Sequence, residues 1–428
     1  MQKKNKFQSL PGMHDILPDD QVYFQKVCKS VESIANFYTF KRIETPLLED
    51  ADIYYKGTGE DTEIVEKQMY TFRTKGGDHV ALRPEWTPSI VRSYIEHGMQ
   101  SLPQPVKLWY YGPCFRYERP QAGRYRQFHQ FGFEVIGEAK PAIDCQIIQM
   151  SHDVLKEMRF KNLIIEVNSI GDSECRPYFK KNLMNYLRSK RSSLCPDCQR
   201  RLKQNPLRIL DCKEEKCQRI KAGAPQIIDH LCESCHSHFK QVLEFLDESE
   251  IPYNLNPYLV RGLDYYTKTV FEIFENTPQG KEQGALMGGG RYDNLVKILG
   301  GRNTPACGAA GGVERIMSLL KNKETKPDTS KDAKVFLAQL GNLSKKKSLK
   351  ILEEFRRAKI TVAETLSKDS LKAQFRTANK LGVRYVLIFG QREALNDEII
   401  VRDMDKGSQE VFKLDAVVAE VKKKLKNL

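Results

Sequence analysis

With 428 residues, 40% hydrophobic and 29% charged, the chain is long enough for two or three domains around a large core. No apolar run approaches the ~18 residues that span a bilayer. The start, MQKKNKFQSLPGMHD, is basic but has no signal-peptide core, so a membrane protein and a secreted one are set aside and a cytosolic, cytoplasmic one is expected. The formal charge of +14 points to a polyanionic partner, nucleic acid first.

Residues 8–20 read as an extended lead-in to a helix, where Phe24, Val27, Val31, Ile34 and Tyr38 recur at spacings of three and four. FKRIETPLLED, Phe40–Asp50, reads as a strand broken by Pro46, a residue suited to an edge or an interface. The polar stretch 54–80 reads as a loop and a hairpin arm. In Ala81–Gly98 a strand end passes into a helix whose entry is stiffened by Pro84 and Pro88. Glu85 and Thr87 alternate onto one side of that entry. A carboxylate and a hydroxyl held this way can take an ammonium group, or simply serve a helix N-terminus.

Phe115–Gly137, FRYERPQAGRYRQFHQFGFEVIG, reads as two strands joined by a basic loop. Strand side chains alternate faces, so Phe131, Phe133 and Val135 share a core face while Gln130, Gly132 and Glu134 share the other. An amide, a bare backbone and a carboxylate side by side suit a pocket floor. In the first strand Cys114, Arg116 and Glu118 fall together, and the loop adds Arg119, Arg124 and Arg126. Such a hairpin can hold a polyphosphate and a cationic or zwitterionic small molecule together.

Beyond a helix at Ala142–Met158 and a strand at Asn162–Val167, residues 173–252 turn charged, cysteine-rich and helical in pattern, and read as an insertion into one sheet. Six of the eleven cysteines lie between Cys195 and Cys235. In a reducing compartment that clustering favours a metal over disulfides. Two C-x-x-C pairs, Cys195/Cys198 and Cys232/Cys235, are expected to hold one structural Zn²⁺, with Cys217 or Cys212 as substitutes. The plain alternative is a set of reduced, packed thiols. The sheet resumes at Pro257 with YLVRGLDYYTKTVFEIF, where Tyr265 and Tyr266 are expected to face opposite ways on a strand. A tyrosine hydroxyl and a carboxylate can read both nitrogens of an imidazole. MGGGRYDNLV, Met287–Val296, offers a glycine-rich backbone and Tyr292. CGAAGGVERIMSLL, Cys307–Leu320, is a glycine-rich helix entry suited to phosphate, with Arg315 off the Val313/Ile316/Met317/Leu320 stripe. After a polar linker, 322–331, strands and helices alternate to the end as an independent α/β domain, 332–428.

These stretches resemble, in order and over nearly the whole chain, the motifs of class II aminoacyl-tRNA synthetases in their histidyl form. Phe40–Asp50 is similar to motif 1, the hairpin to motif 2, RGLDYYT and GGGRY to the two histidyl motifs, and Cys307–Leu320 to motif 3. The resemblance implies an α+β fold: a six-stranded antiparallel catalytic sheet flanked by helices, carried by residues 1–172 and 253–321, with the helical insertion and a C-terminal anticodon-binding domain. It implies histidine activation by ATP and Mg²⁺, transfer to tRNA(His), and a homodimer. It assigns Arg116, Glu118 and Arg315 to ATP and Arg261 to the reacting carboxylate–phosphate centre. Glu85, Thr87 and Gln130 go to the amino group, Glu134 with Tyr266 to the imidazole, Tyr265 and Tyr292 to the histidine pocket, and Gln121 and Arg126 to the tRNA acceptor end. Trp86 departs from the small residue often found there. A regulatory or RNA-binding paralogue without catalysis is the alternative, but Arg116, Arg261, Arg315 and the C-terminal domain are all retained.

Overall fold

The computed structural model describes residues 7–60, 62–121, 123–277, 284–323 and 333–426. The chain divides into two compact units, residues 1–325 and 326–428. The division falls within the expected linker, 322–331, of which 324–331 lie outside the described residues.

The strands of the first unit are β1 (Lys41–Arg42), β2 (Leu48–Asp50), β3 (Tyr70–Arg73), β4 (His79–Leu82), β5 (Val106–Phe115), β6 (Gln127–Ile136), β7 (Leu163–Ser169), β8 (Asn254–Leu255), β9 (Thr267–Glu275), β10 (Met287–Arg291) and β11 (Ala306–Gly312). One sheet runs β1-β5-β6-β11-β10-β9-β7-β8. Its six middle strands are antiparallel throughout, as expected. The two-residue strands β1 and β8 add a parallel pairing at each edge. Pro46 separates β1 from β2, which belongs to a different, three-stranded sheet with β4 and β3. A helix, Asp52–Thr58, stands where a loop was expected. Its glycine and polar residues read as loop, but the fully buried Tyr54, bonded to Ser89 Oγ at 2.8 Å, holds it by tertiary packing.

The main sheet is covered on both faces. Phe131, Phe133 and Val135 of β6 face a core shared with the helices Pro18–Phe37, Pro141–Glu157 and Val313–Asn322. The helix Glu233–Glu248, within the expected insertion, joins the same core through Phe239, Val242 and Leu246. The rest of the insertion closes the other face: Phe179, Leu183, Leu202 and Leu207 pack in one cluster with Tyr110, Tyr265 and Tyr292. A buried ion pair ties these layers together. Arg291 on β10 bonds Asp144 on the helix Pro141–Glu157, and His238 Nε2 lies 3.3 Å from Asp144 Oδ1. Burial alone would push the Asp144 carboxyl up, but the Arg291 guanidinium and the His238 ring together outweigh it and hold the group at about 2. Removing one partner of such a pair costs on the order of 3–5 kcal/mol.

The second unit has its own sheet, formed by β12 (Val335–Gln339), β13 (Val362–Glu364), β14 (Tyr385–Phe389), β15 (Glu398–Asp403) and β16 (Gln409–Lys413) in the order β13-β12-β14-β15-β16. The first three pair in parallel and the last two antiparallel. The expected α/β alternation holds. Strand β16 was not expected: QEVFK is mostly exposed and pairs only along one edge, so burial left little pattern to read.

Candidate active site

A cavity of about 380 Å³ opens on the face of the sheet opposite Phe131 and Phe133. Its floor comes from β6, β10 and β11, where alternation brings Gln130, Gly288 and Gly308 onto one side. Glu134, on the same face of β6, is not in the lining itself but is bonded to Thr87 and Tyr292, which are. Each buried carboxylate is held by two hydroxyls. Glu85 Oε1 accepts from Thr58 Oγ1 at 2.6 Å and Oε2 from the Tyr265 hydroxyl at 2.8 Å. Glu134 Oε1 accepts from Thr87 Oγ1 at 2.8 Å and Oε2 from the Tyr292 hydroxyl. Burial raises the Glu85 carboxyl above the ordinary range. Burial, helped by the Glu85 charge, pushes Glu134 up to about 8 despite its two hydroxyl donors. This end of the cavity is short of positive charge.

The other end carries an excess of it. Arg116 lies over the Phe128 ring at 5.2 Å, its Nε donating to the Pro84 carbonyl at 2.9 Å. Arg261 pairs with Glu272, and its guanidinium sits 5.6 Å from the Tyr266 ring. Arg315 donates to the Ala285 carbonyl, and burial with the neighbouring Arg124 lowers its pKa. A Cβ at Gly288 would come within 2.6 Å of Arg261 Nη1, so the bare backbone makes room for that guanidinium. A zwitterion with a second basic group fits the first end, and a polyphosphate fits the second.

A family model described as "Histidyl-tRNA synthetase" matches residues 12–316, and one described as "Anticodon binding domain" matches 334–424. The chain belongs to the histidyl-tRNA synthetase family. A histidine–tRNA ligase from Dehalococcoides mccartyi is 44% identical over 419 residues, covering 98% of this chain and 100% of that one. One from Desulforamulus reducens is 43% identical, covering 96% and 98%. The apo histidyl-tRNA synthetase structure from S. aureus superimposes with a TM-score of 0.81 at 33% identity, covering 97% and 99%.

Against the histidyl-tRNA synthetase pattern, Glu85, Thr87, Gln130, Tyr265, Tyr266 and Tyr292 line one cavity with Arg116, Glu118, Arg261 and Arg315, while Glu134 lies outside the lining and is bonded to two of its members, Thr87 and Tyr292. The bonds among these residues were not part of the expectation. Thr87 donates to Glu134, while Glu85 is held by Thr58 and Tyr265. The phenol on Glu134 is that of Tyr292. Tyr265 and Tyr266 do not face opposite ways. They precede β9 in irregular backbone, so both reach the cavity, with ring centroids 4.7 Å apart. Gln121 and Arg126 lie outside the cavity lining. Gln121 is exposed on the hairpin loop, and Arg126 stacks at 4.0 Å over Tyr117. Trp86 is fully buried, stacks on Tyr110 at 4.8 Å and is itself part of the cavity lining. Sequence reasoning missed Thr58, Tyr110 and Glu272. Glu272 sits on β9 in an alternating run and was within reach of the period-two argument, whereas Thr58 in YYKGT carried no signal.

The cysteine expectation needs correction. The two C-x-x-C pairs do not converge. Cys195 and Cys198 group with Cys212 and Cys217, all four buried, with their sulfurs within 4.8 Å of one another. Cys232 and Cys235 group instead with Asp172 and Cys175. The reason is the helix Glu233–Glu248, whose packing in the main core carries Cys232 and Cys235 to the base of the insertion. The Cys195 and Cys212 sulfurs, 3.9 Å apart, stand close to the roughly 3.8 Å edge of a tetrahedron with Zn–S bonds of about 2.3 Å. The first four thiols therefore fit a structural zinc.

Glu134 makes the cavity a liability when empty. A carboxyl at about 8 in the folded chain, against 4.5 unperturbed, binds an extra proton between those values, so folded stability falls as pH rises through that window. Glu134→Gln is expected to raise the melting temperature of the unliganded protein at pH 8.5 by roughly 2 °C or more, and to leave it nearly unchanged at pH 5. Scanning calorimetry at both values checks this; a lower melting temperature at both would make Glu134 a structural residue.

Proposed function

We infer that the protein is a histidine–tRNA ligase, which joins L-histidine to the 3′ end of tRNA(His) at the expense of ATP. The observation that carries the reading is the two-ended cavity: Glu85 at one end, with Glu134 bonded to Thr87 and Tyr292 of the lining there, and Arg116, Arg261 and Arg315 at the other. The histidine carboxylate attacks the α-phosphorus of ATP, an O–P bond forms, and the bond to the β-phosphate breaks to release pyrophosphate. A ribose hydroxyl of the tRNA end then attacks the adenylate carbonyl carbon and AMP departs. Both steps are governed by positioning and by neutralising negative charge that builds between reactants.

In this reading Glu85, with Gln130 beside it, takes the α-ammonium group. Glu134, braced by Thr87 and Tyr292, takes an imidazole nitrogen, and Tyr265 and Tyr266 wall the ring. Arg261 stands at the reacting carboxylate and α-phosphate, with Arg116 on the α-phosphate and Arg315 on the tail. Mg²⁺ bound to ATP supplies further neutralisation, and Glu118 and Glu272 are carboxylates at that end with the hard oxygen donors it requires. Gln121 and Arg126, on the outer hairpin, approach the tRNA acceptor end. Cys195, Cys198, Cys212 and Cys217 hold a structural zinc. In this reading the ligase acts in the cytoplasm; no helix among the described residues is long and apolar enough to cross a membrane.

Purified protein is expected to support ATP–pyrophosphate exchange with histidine alone, since a site of buried polar partners rejects ligands that leave them unpaired by ~10⁴ or more. Exchange with several amino acids, or none with histidine, overturns the assignment. Arg261→His is expected to cut the exchange rate by ~10²–10³ with little change in ATP affinity, because its contact strengthens as charge develops. A near wild-type rate would reduce Arg261 to a structural partner of Glu272. The homodimer rests on the Phe40–Asp50 segment, where Leu47 and Leu48 stand 44% and 45% exposed beside a sheet edge. Sedimentation equilibrium is expected to return twice the chain mass; a monomer at micromolar concentration rejects it.

A further inference from the structure

We propose that Asp172, Cys175, Cys232 and Cys235 form a second zinc centre, which staples the two ends of the insertion together where the chain leaves and rejoins the main sheet. Their ligating atoms lie within 4.8 Å of one another, apart from the Cys195 group. The donors come as two pairs, each three residues apart and each at the start of a helix, Arg176–Arg188 and Glu233–Glu248. A short turn of that kind points two ligands at one centre, which is how zinc knuckles are built.

The first turn is shaped for the purpose. Gly171 has φ +62°, and a Cβ there would stand 2.5 Å from Cys175 Sγ, so only glycine brings Asp172 and Cys175 together. The Asp172 amide points at Cys175 Sγ at 3.5 Å, and the Glu174 amide donates to Asp172 Oδ1 at 2.9 Å. Backbone donors that fix the ligands this way are the outer support a metal site needs. Three thiols and a carboxylate suit zinc and not an oxygen-seeking cation such as Mg²⁺ or Ca²⁺.

The consequence reaches the cavity. Arg176, adjacent to Cys175, donates from Nη2 to the Gly171 carbonyl at 2.9 Å and to the Tyr266 carbonyl at 2.6 Å. The staple therefore fixes the backbone that carries Tyr266 into the cavity. It also closes residues 176–231 into a loop, the case in which a cross-link restricts the unfolded chain most.

The experiment uses the full chain, purified without a metal-affinity tag, and elemental analysis after dialysis against a weak chelator. Two zinc ions per chain are expected, falling to one in Cys232→Ser/Cys235→Ser and to one in Cys212→Ser/Cys217→Ser. Zinc content unchanged by the Cys232/Cys235 substitutions overturns the second centre, whatever the fate of the first. Should that variant fail to fold, site-resolved alkylation of the native wild-type protein decides. Cys232 is only half-buried, so without metal it labels readily. Protection of Cys175, Cys232 and Cys235 that is lost together on chelation supports the centre. Rapid labelling of Cys232 in the zinc-loaded protein, or a disulfide among the three, rejects it.

Discussion

Glu85 and Glu134 are two carboxylates buried at one end of the site, Glu85 in the cavity lining and Glu134 bonded to it through Thr87 and Tyr292, and the Glu85 charge disfavours ionisation of Glu134. A buried carboxylate without partners is costly, and a second one beside it compounds the cost. The protein meets this with four hydroxyls from four separate segments: Thr58 at the end of a short helix, Thr87 at the start of another, Tyr265 ahead of β9 and Tyr292 behind β10. None of these pairs is local in sequence, so the pocket exists only once the sheet and its covering helices have assembled. What the hydroxyls do not supply is positive charge, which the ligand must bring. Selectivity and affinity then share one origin, because a ligand lacking either basic group leaves a carboxylate uncompensated.

The arginine end follows the converse logic. Arg116, Arg261 and Arg315 are each pinned by a carbonyl or a carboxylate, so their forks are oriented before any phosphate arrives. Preorganisation of this kind lowers the reorganisation needed during reaction. The helix that bears Arg315 also bears Glu314, whose carboxylate accepts from the His129 amide at 2.8 and 2.9 Å and so locks the helix to β6.

Periodicity made much of this legible. Alternation along β6 sorted Phe131, Phe133 and Val135 from Gln130, Gly132 and Glu134, and the helical stripe at Val313–Leu320 isolated Arg315. It failed where the backbone is irregular. Tyr265 and Tyr266 were assigned to a strand that begins only at Thr267, so the expected division of labour between them disappeared. It failed again where a partner is remote: nothing near Thr58 announces Glu85, and the C-x-x-C spacing cannot say which thiols meet. Cys212 and Cys217 complete the first group because the intervening turns fold back locally. Cys232 and Cys235 leave it because their helix is claimed by the main core.

The glycine-rich pairing of β10 with β11 has a consequence in mutational space. Gly308 lies opposite Glu134 across the β6–β11 ladder, and a Cβ there would overlap the Glu134 carboxylate and come within 2.6 Å of the Phe133 carbonyl oxygen. Every missense change of a glycine codon adds a Cβ, whatever else it adds. The position therefore offers no graded series from mild to severe. Alanine already carries the offending atom, and drift away from glycine at this point of the sheet has no tolerated first step.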